Sequence, residues 1–111
     1  MEYQQFIDHG LSERTLIALS DAFSHYPDIE SVILYGSRAK GNYREESDID
    51  LAIIAPNMSS SDFALLSLAL DELPIIYKID CVLLKELENT GLKDNIISQG
   101  RIIWPNIEKQ S

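Results

Sequence analysis

The chain has 111 residues, of which 45% are apolar and 24% charged. This is the composition of an ordinary globular protein, so it excludes intrinsic disorder and collagen-like repeats, and the length predicts a single domain over residues 1–111. The formal net charge of −9, from 18 acidic and 9 basic residues, excludes strong nonspecific binding to nucleic acid. A negative charge favours divalent cations or a basic protein surface as partners, although solubility alone also explains it.

The sequence predicts a protein that is neither exported nor inserted in a membrane. Residues 1–10 include Glu2 and Asp8 and lack the basic start and the apolar run of a signal peptide. No stretch reaches the roughly 18 consecutive apolar residues of a membrane span. The single cysteine, Cys81, cannot form an intrachain disulfide and lies in an apolar segment typical of a small buried side chain. We therefore expect a cytoplasmic protein.

The first predicted elements are a helix and a buried strand. Ser12 is a suitable N-cap for a helix that runs to about His25, because apolar residues recur there at helical spacing. Ile29 to Tyr35 is short, β-branched and apolar, and it leads into Gly36, which predicts a strand that enters a tight turn. Residues 37–47 are polar, so we expect a loop that can contain a short helical turn.

The second half of the chain predicts further strands and helices. They are a strand over 48–55, a helix over 62–73 capped within 59–61, a strand over 75–84, a short helix over 92–98 and an apolar stub over 102–104. Gly100 is the expected C′ residue of the last helix. The sum is a compact α/β fold with three principal strands, without repeats or linkers.

Two aspartates in the second strand are the first candidates for chemistry. Residues i and i+2 of a strand point to the same face, so Asp48 and Asp50 are expected to project side by side. Crowded carboxylates are costly unless a cation neutralises them, which favours a bound divalent metal. The alternative is that both acids are exposed at the frayed start of the strand, next to Ser47.

A third aspartate, Asp80, interrupts the apolar segment IIYKIDCVLL and therefore needs a partner. Lys78, at i−2 on the same face, is one candidate. If the second and third strands are neighbours, Asp80 instead joins Asp48 and Asp50 on one face. An oxygen-only cluster of this kind suits Mg²⁺, which prefers octahedral oxygen ligands and keeps waters that substrate phosphates can replace.

Gly36 and Ser37 form a candidate phosphate site. A strand that ends in Gly-Ser and turns sharply can point backbone N–H groups and a hydroxyl at an anion, and small residues let a phosphate approach closely. The pair alone is weak evidence, because neither GxxxxGK[ST] nor GxGxxG is present. Arg38 and Lys40 follow, and the sequence leaves open whether they contact phosphate or lie on a solvated face.

The joint spacing is more specific, since Gly36-Ser37 is followed by ten residues and then by Asp48-Ile49-Asp50. This pattern resembles the nucleotidyltransferase superfamily related to DNA polymerase beta, whose signature is GS, a spacer of that length, DxD and a third acid on a later strand. YGSRAKGNYREESDIDLAII is similar to the minimal nucleotidyltransferases of bacteria and archaea, as are IDCVLL and LKDNIISQGRIIW. The similarity covers about Ile29 to Trp104. It implies an α/β (α+β) fold with a small mixed sheet of about three main strands flanked by helices.

The resemblance also implies an activity and its residues. The expected reaction is transfer of a nucleotidyl group, AMP from ATP, to a hydroxyl acceptor with release of pyrophosphate. Asp48 and Asp50 would bridge two Mg²⁺ ions, for which Mn²⁺ can substitute, and Asp80 would bind the metal nearer the nucleophile and help to deprotonate it. Gly36 and Ser37 would hold the nucleotide phosphates.

The resemblance further implies a protein partner, because minimal members pair with a small helical protein, either a HEPN-type ribonuclease toxin or a substrate-binding subunit. In the toxin pairing, the chain would be the antitoxin of a two-component toxin–antitoxin system and would AMPylate a tyrosine of the toxin. The alternatives are nucleotidylation of a small molecule such as an aminoglycoside, or of an RNA end, and a non-catalytic antitoxin that acts by docking. His9, His25 and Trp104 carry no readable chemistry.

Overall fold

The computed structural model describes residues 10–105, so the predictions for His9 and for a signal peptide lie outside the described residues. The elements in chain order are α1 (Glu13–Phe23), β1 (Ser31–Tyr35), α2 (Ser37–Lys40), β2 (Ile49–Ile54), α3 (Ser60–Asp71), β3 (Ile79–Leu83), a 3-10 turn (Leu84–Glu86), α4 (Thr90–Gln99) and β4 (Arg101–Trp104). In this part of the chain, no helix has both the length and the apolar character needed to cross a membrane.

The strands form one mixed sheet in the order β3-β2-β1-β4. β1 pairs antiparallel with both β2 and β4, whereas β2 and β3 are parallel. The predicted α/β (α+β) class is therefore confirmed. The apolar stub predicted over 102–104 is a fourth strand that pairs along β1, because its backbone groups find partners there despite its short length.

Helices cover both faces of the sheet. Side chains alternate along each strand, so the two faces build separate cores. On one face, α1 and α3 pack against the sheet through residues that include Leu19, Phe23, Leu34, Leu51, Leu66 and Leu70. On the other, Ile96 of α4 packs against Ile33 and Ala52, and Tyr35 adjoins this smaller core. Each fully buried aliphatic or aromatic side chain contributes about 1.5–3 kcal/mol of transfer free energy.

The helix starts follow the predicted capping residues. The Ser12 hydroxyl accepts a hydrogen bond from the Thr15 N–H at 3.1 Å, and the Ser59 hydroxyl accepts one from the Asp62 N–H at 3.1 Å. Each bond satisfies an N–H group that lacks a partner within its own helix. The predicted N-cap of α1 is therefore confirmed, and α3 is capped within the predicted residues 59–61, although it begins at Ser60 rather than at Asp62.

Gly100 ends α4 as predicted. Glycine is required here because of close packing, however, and not because the backbone is left-handed. Its φ is −74°, which any residue can adopt. A Cβ at this position would instead collide with the side chain of Ile33 and the carbonyl of Ile96. Glycine is therefore required by the close approach of the α4–β4 junction to β1.

The third strand is shorter and less buried than predicted. β3 begins at Ile79 rather than at Ile75, and Ile76 is 90% exposed. The parallel ladder begins where Ile49 pairs with Ile79, so the preceding residues have no strand beside them. β3 is also an edge strand, which leaves Asp80 exposed rather than in a core strand.

Candidate active site

The acids of β2 and β3 come together through strand register. Asp50 pairs with Asp80 across the parallel β2–β3 ladder, and Tyr35 pairs with Asp50 across the antiparallel β1–β2 ladder. Residues directly opposite one another on neighbouring strands project to the same face. Tyr35, Asp50 and Asp80 therefore share the face on which α4 packs, at the end of β1 that leads into Gly36.

Negative charge accumulates at this point. Burial raises the pKa of Asp50 above its ordinary value of 3.8, and the carboxylates of Asp80 and Asp48 raise it further. Asp48 itself is exposed and lies immediately before β2. Among residues 10–105, no three acid, histidine or cysteine side chains are arranged so that they could enclose an ion as they stand. The structure thus pairs Asp50 with Asp80 and brings Asp48 within electrostatic range of Asp50.

The alternative explanations for these acids fit the structure poorly. Lys78 is exposed, and within the described part of the chain no ion pair joins it to Asp80. Its carbonyl accepts a hydrogen bond from the Ile49 N–H at 2.9 Å, so its contribution here is to strand pairing. The other alternative was that both acids are exposed at the frayed start of the strand. It holds for Asp48, which is exposed, but not for Asp50, which is half-buried within the sheet.

Gly36 brings the turn after β1 directly against the acids. Its φ of 79° and ψ of −154° lie in a region that essentially only glycine adopts. A Cβ at Gly36 would lie 2.5 Å from Oδ2 of Asp50. Glycine is therefore required for the close approach of this turn to the Asp50 carboxylate, and Ser37 follows as the first residue of α2.

Tyr35 is a candidate site residue that the sequence did not predict. Burial, followed by the charges of Asp50 and Asp80, raises the pKa of Tyr35 to about 12. Its phenol therefore remains protonated at neutral pH and can donate a hydrogen bond to an oxygen anion. The available signal was its position one residue before Gly36, which places it at the site end of β1.

Arg38 does not lie on a solvated face, which was one of the two alternatives left open by the sequence. Its side chain is only 1% exposed, and it donates hydrogen bonds to the backbone carbonyls of Glu45 and Ser47. Lys40 is exposed, and its contact with phosphate stays a prediction.

The sequence model described as "Polymerase beta, Nucleotidyltransferase" matches residues 18–109. The chain therefore belongs to the polymerase beta nucleotidyltransferase family, whose members are enzymes of nucleotidyl transfer.

Similar proteins come from archaea and bacteria. The chain is 38% identical over 77 residues to a Methanocaldococcus jannaschii protein provisionally named a protein adenylyltransferase, and the match spans 59% of this chain and 78% of that protein. A chain of a toxin–antitoxin complex with AMP-PNP is similar in structure, with a TM-score of 0.67, 22% identity, and coverage of 85% of this chain and 76% of that chain.

A third match is a chain in the complex of the tri-AMPylated Shewanella oneidensis HEPN toxin with its MNT antitoxin. The TM-score is 0.60 at 22% identity, and the match covers 92% of this chain and 76% of that chain. At these identities, the two structural matches show a shared fold.

Proposed function

We propose that this nucleotidyltransferase moves AMP from ATP to a tyrosine hydroxyl of a small helical protein, a HEPN-type toxin, and thereby acts as an antitoxin. The observation that carries the proposal is the in-register pairing of Asp50 with Asp80 beside the Gly36 turn. The acceptor is supported by the relative named for protein adenylylation and by the structural neighbours, one with AMP-PNP and one with an AMPylated toxin.

The donor set fits a divalent metal. Asp48, Asp50 and Asp80 offer only carboxylate oxygens, which Mg²⁺ and Mn²⁺ accept. Burial is the larger cause of the raised pKa of Asp50, and the nearby carboxylates of Asp80 and Asp48 raise it further; a cation would relieve this repulsion between the carboxylates. Bound divalent ions, two in the proposed site, would neutralise charge on the attacking and leaving oxygens of an in-line displacement.

The protein groups have separate tasks in the proposed reaction. The acceptor oxygen attacks the α-phosphorus of ATP, a new phosphorus–oxygen bond forms, and the bond to pyrophosphate breaks. Asp80 would accept the proton of the acceptor hydroxyl. Backbone N–H groups of Gly36 and Ser37, with the Ser37 hydroxyl, would orient the phosphates, since the Gly36 turn lies directly against Asp50.

The exposure of Asp80 supports a macromolecular acceptor. β3 is an edge strand and Asp80 is exposed, whereas Asp50 one strand further in is half-buried. A tyrosine on a folded partner can therefore approach from the β3 side while the nucleotide occupies the Gly36 side. A bound small molecule would require more enclosure than this edge provides.

The test uses a small helical protein of the HEPN type as the partner. Incubation with the chain, ATP and Mg²⁺ should add one or more AMP groups to the intact partner, and fragmentation should locate them on tyrosine. Replacing the modified tyrosine of the partner by phenylalanine should remove the added mass. Modification of another residue type would overturn the tyrosine assignment. Protection from a toxic partner without any added mass would favour the docking-only antitoxin.

A further inference from the structure

Arg38 connects the segments that surround the acid site. Its guanidinium packs on two aromatic rings, with its central carbon 4.8 Å from the ring centroid of Tyr43 and 4.5 Å from that of Tyr77. A Cβ on Gly10 would lie 2.7 Å from its Nη1 atom, so the chain before α1 also packs against it. One side chain thus joins α2, the loop before β2, the segment before β3 and the start of the described chain.

The polar contacts of Arg38 converge on the residue that precedes Asp48. Nε–H donates to the Ser47 carbonyl at 3.2 Å, and Nη2–H donates to the same carbonyl at 3.0 Å and to that of Glu45 at 3.2 Å. The peptide group is planar, so holding the Ser47 carbonyl in a fork of two donors also fixes the nitrogen and Cα of Asp48. The direction in which Asp48 enters β2 therefore depends on Arg38.

The aromatic contacts act on the other acid-bearing strand. Tyr77 lies two residues before Ile79, where β3 begins, and three before Asp80. Packing of its ring on the guanidinium ties the entry of β3 to the entry of β2. Burial of an always-charged arginine is costly without such partners, and here ring faces and carbonyl dipoles compensate it.

We propose that Arg38 is a positioning residue, which orients the Ser47–Asp48 peptide and the start of β3 so that Asp48, Asp50 and Asp80 can hold a divalent cation. The inference rests on the metal site of the proposed function. It favours a positioning role over a role as phosphate ligand, because Nε and Nη2 are directed to the protein backbone.

The experiment measures Mn²⁺ binding to the intact chain in the absence of nucleotide, by electron paramagnetic resonance of the free ion. Arg38→Lys keeps the charge but loses the planar fork, and Arg38→Met loses both. Each should weaken Mn²⁺ binding by about 10- to 100-fold, the usual effect of removing a group that orients metal ligands. If Arg38 were only a phosphate ligand, its replacement would leave Mn²⁺ binding unchanged, because the sample contains no phosphate.

Two controls separate positioning from general stability. Tyr77→Phe keeps the ring on the guanidinium and should bind Mn²⁺ as the wild type does, whereas Tyr77→Leu should weaken binding in the same direction as Arg38→Lys. Phe23→Leu alters the core where Phe23 contacts Trp104, near the end of β1 opposite to the site. It should lower the melting temperature but leave the Mn²⁺ affinity of the folded protein unchanged.

The outcomes distinguish this inference from the proposed site. If Asp50→Asn abolishes Mn²⁺ binding while folded Arg38→Lys and Tyr77→Leu bind normally, the positioning role is wrong and the metal site stands. If Asp50→Asn binds as tightly as the wild type, the proposed metal site is wrong and the inference falls with it. Should Arg38→Met not fold, Arg38→Lys and the Tyr77 pair still decide the question.

Discussion

Asp50 and Asp80 are direct register partners on neighbouring parallel strands, and burial together with the charges of Asp80 and Asp48 raises the pKa of Asp50. Because the backbone register places the two residues opposite one another, side-chain rotation can only partly separate the carboxylates. The sheet therefore carries an electrostatic cost in the metal-free protein that should be measurable.

The first prediction concerns pH. Because the folded pKa of Asp50 lies above its ordinary value of 3.8, the folded state binds this proton more tightly. The resulting stabilisation is fully present below the ordinary pKa and is lost as pH rises through the raised one. Asp50→Asn should remove this loss, so the variant should gain stability relative to the wild type from acidic to neutral pH. Urea unfolding with a chelator present measures this, and equal pH slopes for the two proteins would contradict it.

The second prediction concerns divalent cations. Mg²⁺ or Mn²⁺ should raise the melting temperature, because a ligand that binds only the folded state stabilises it, by about 2.7 kcal/mol at 100 times the dissociation constant. Asp50→Asn should abolish most of this increment. Asp28→Asn, an exposed acid before β1, is the matched control and should retain it. An equal increment in both variants would show that the ion binds elsewhere.

The third prediction concerns the turn after β1. Gly36→Ala should destabilise the protein by about 1–3 kcal/mol, because alanine tolerates the backbone conformation of Gly36 poorly. Its Cβ would also press against Asp50, so transfer activity should be lost even where the protein is folded. Gly91→Ala in α4, where φ is not positive, is the control and should remain within about 1 kcal/mol of the wild type. Chemical denaturation and a transfer assay measure the two effects, and an active Gly36→Ala would argue against the site.

The fourth prediction concerns Tyr35. Its phenol should titrate with a pKa of about 12, against an ordinary 10.0. Asp50→Asn should lower this pKa but leave it above the ordinary value, because burial is the larger cause. NMR titration of ring-labelled tyrosines measures it, with Tyr35→Phe to assign the signal. A normal pKa in the wild type would mean that Tyr35 is more exposed than the structure indicates.

The sequence predicted those parts of the fold and site that depend on residues close together in the chain. Serine caps and apolar spacing predicted α1 and α3, because helix starts depend on residues close in the chain. The spacing of Gly36 and Asp50 predicted residues that the β1–β2 pairing brings into contact. The predicted start of β3 was wrong, because a strand begins where a neighbouring strand offers backbone partners and not where the apolar residues begin.

The burial of Arg38 was beyond local prediction. Arginine is rarely buried, so the polar segment 37–47 favoured a surface position. The rings and carbonyls that enclose it come from Tyr43, Tyr77 and Ser47, and Tyr77 is distant in sequence. Only the folded chain brings these partners together. Tyr35 was missed for the same reason, because its role depends on strand register with Asp50.

The central claim is that Asp50 and Asp80 serve AMP transfer, and it is tested most directly with ATP labelled at the α-phosphate and the helical partner as acceptor. With Mg²⁺, label should appear on the partner for the wild type and for Asp28→Asn. It should be absent or severely reduced for Asp50→Asn and Asp80→Asn, and without divalent cations. Undiminished label transfer by folded Asp50→Asn and Asp80→Asn would contradict the account.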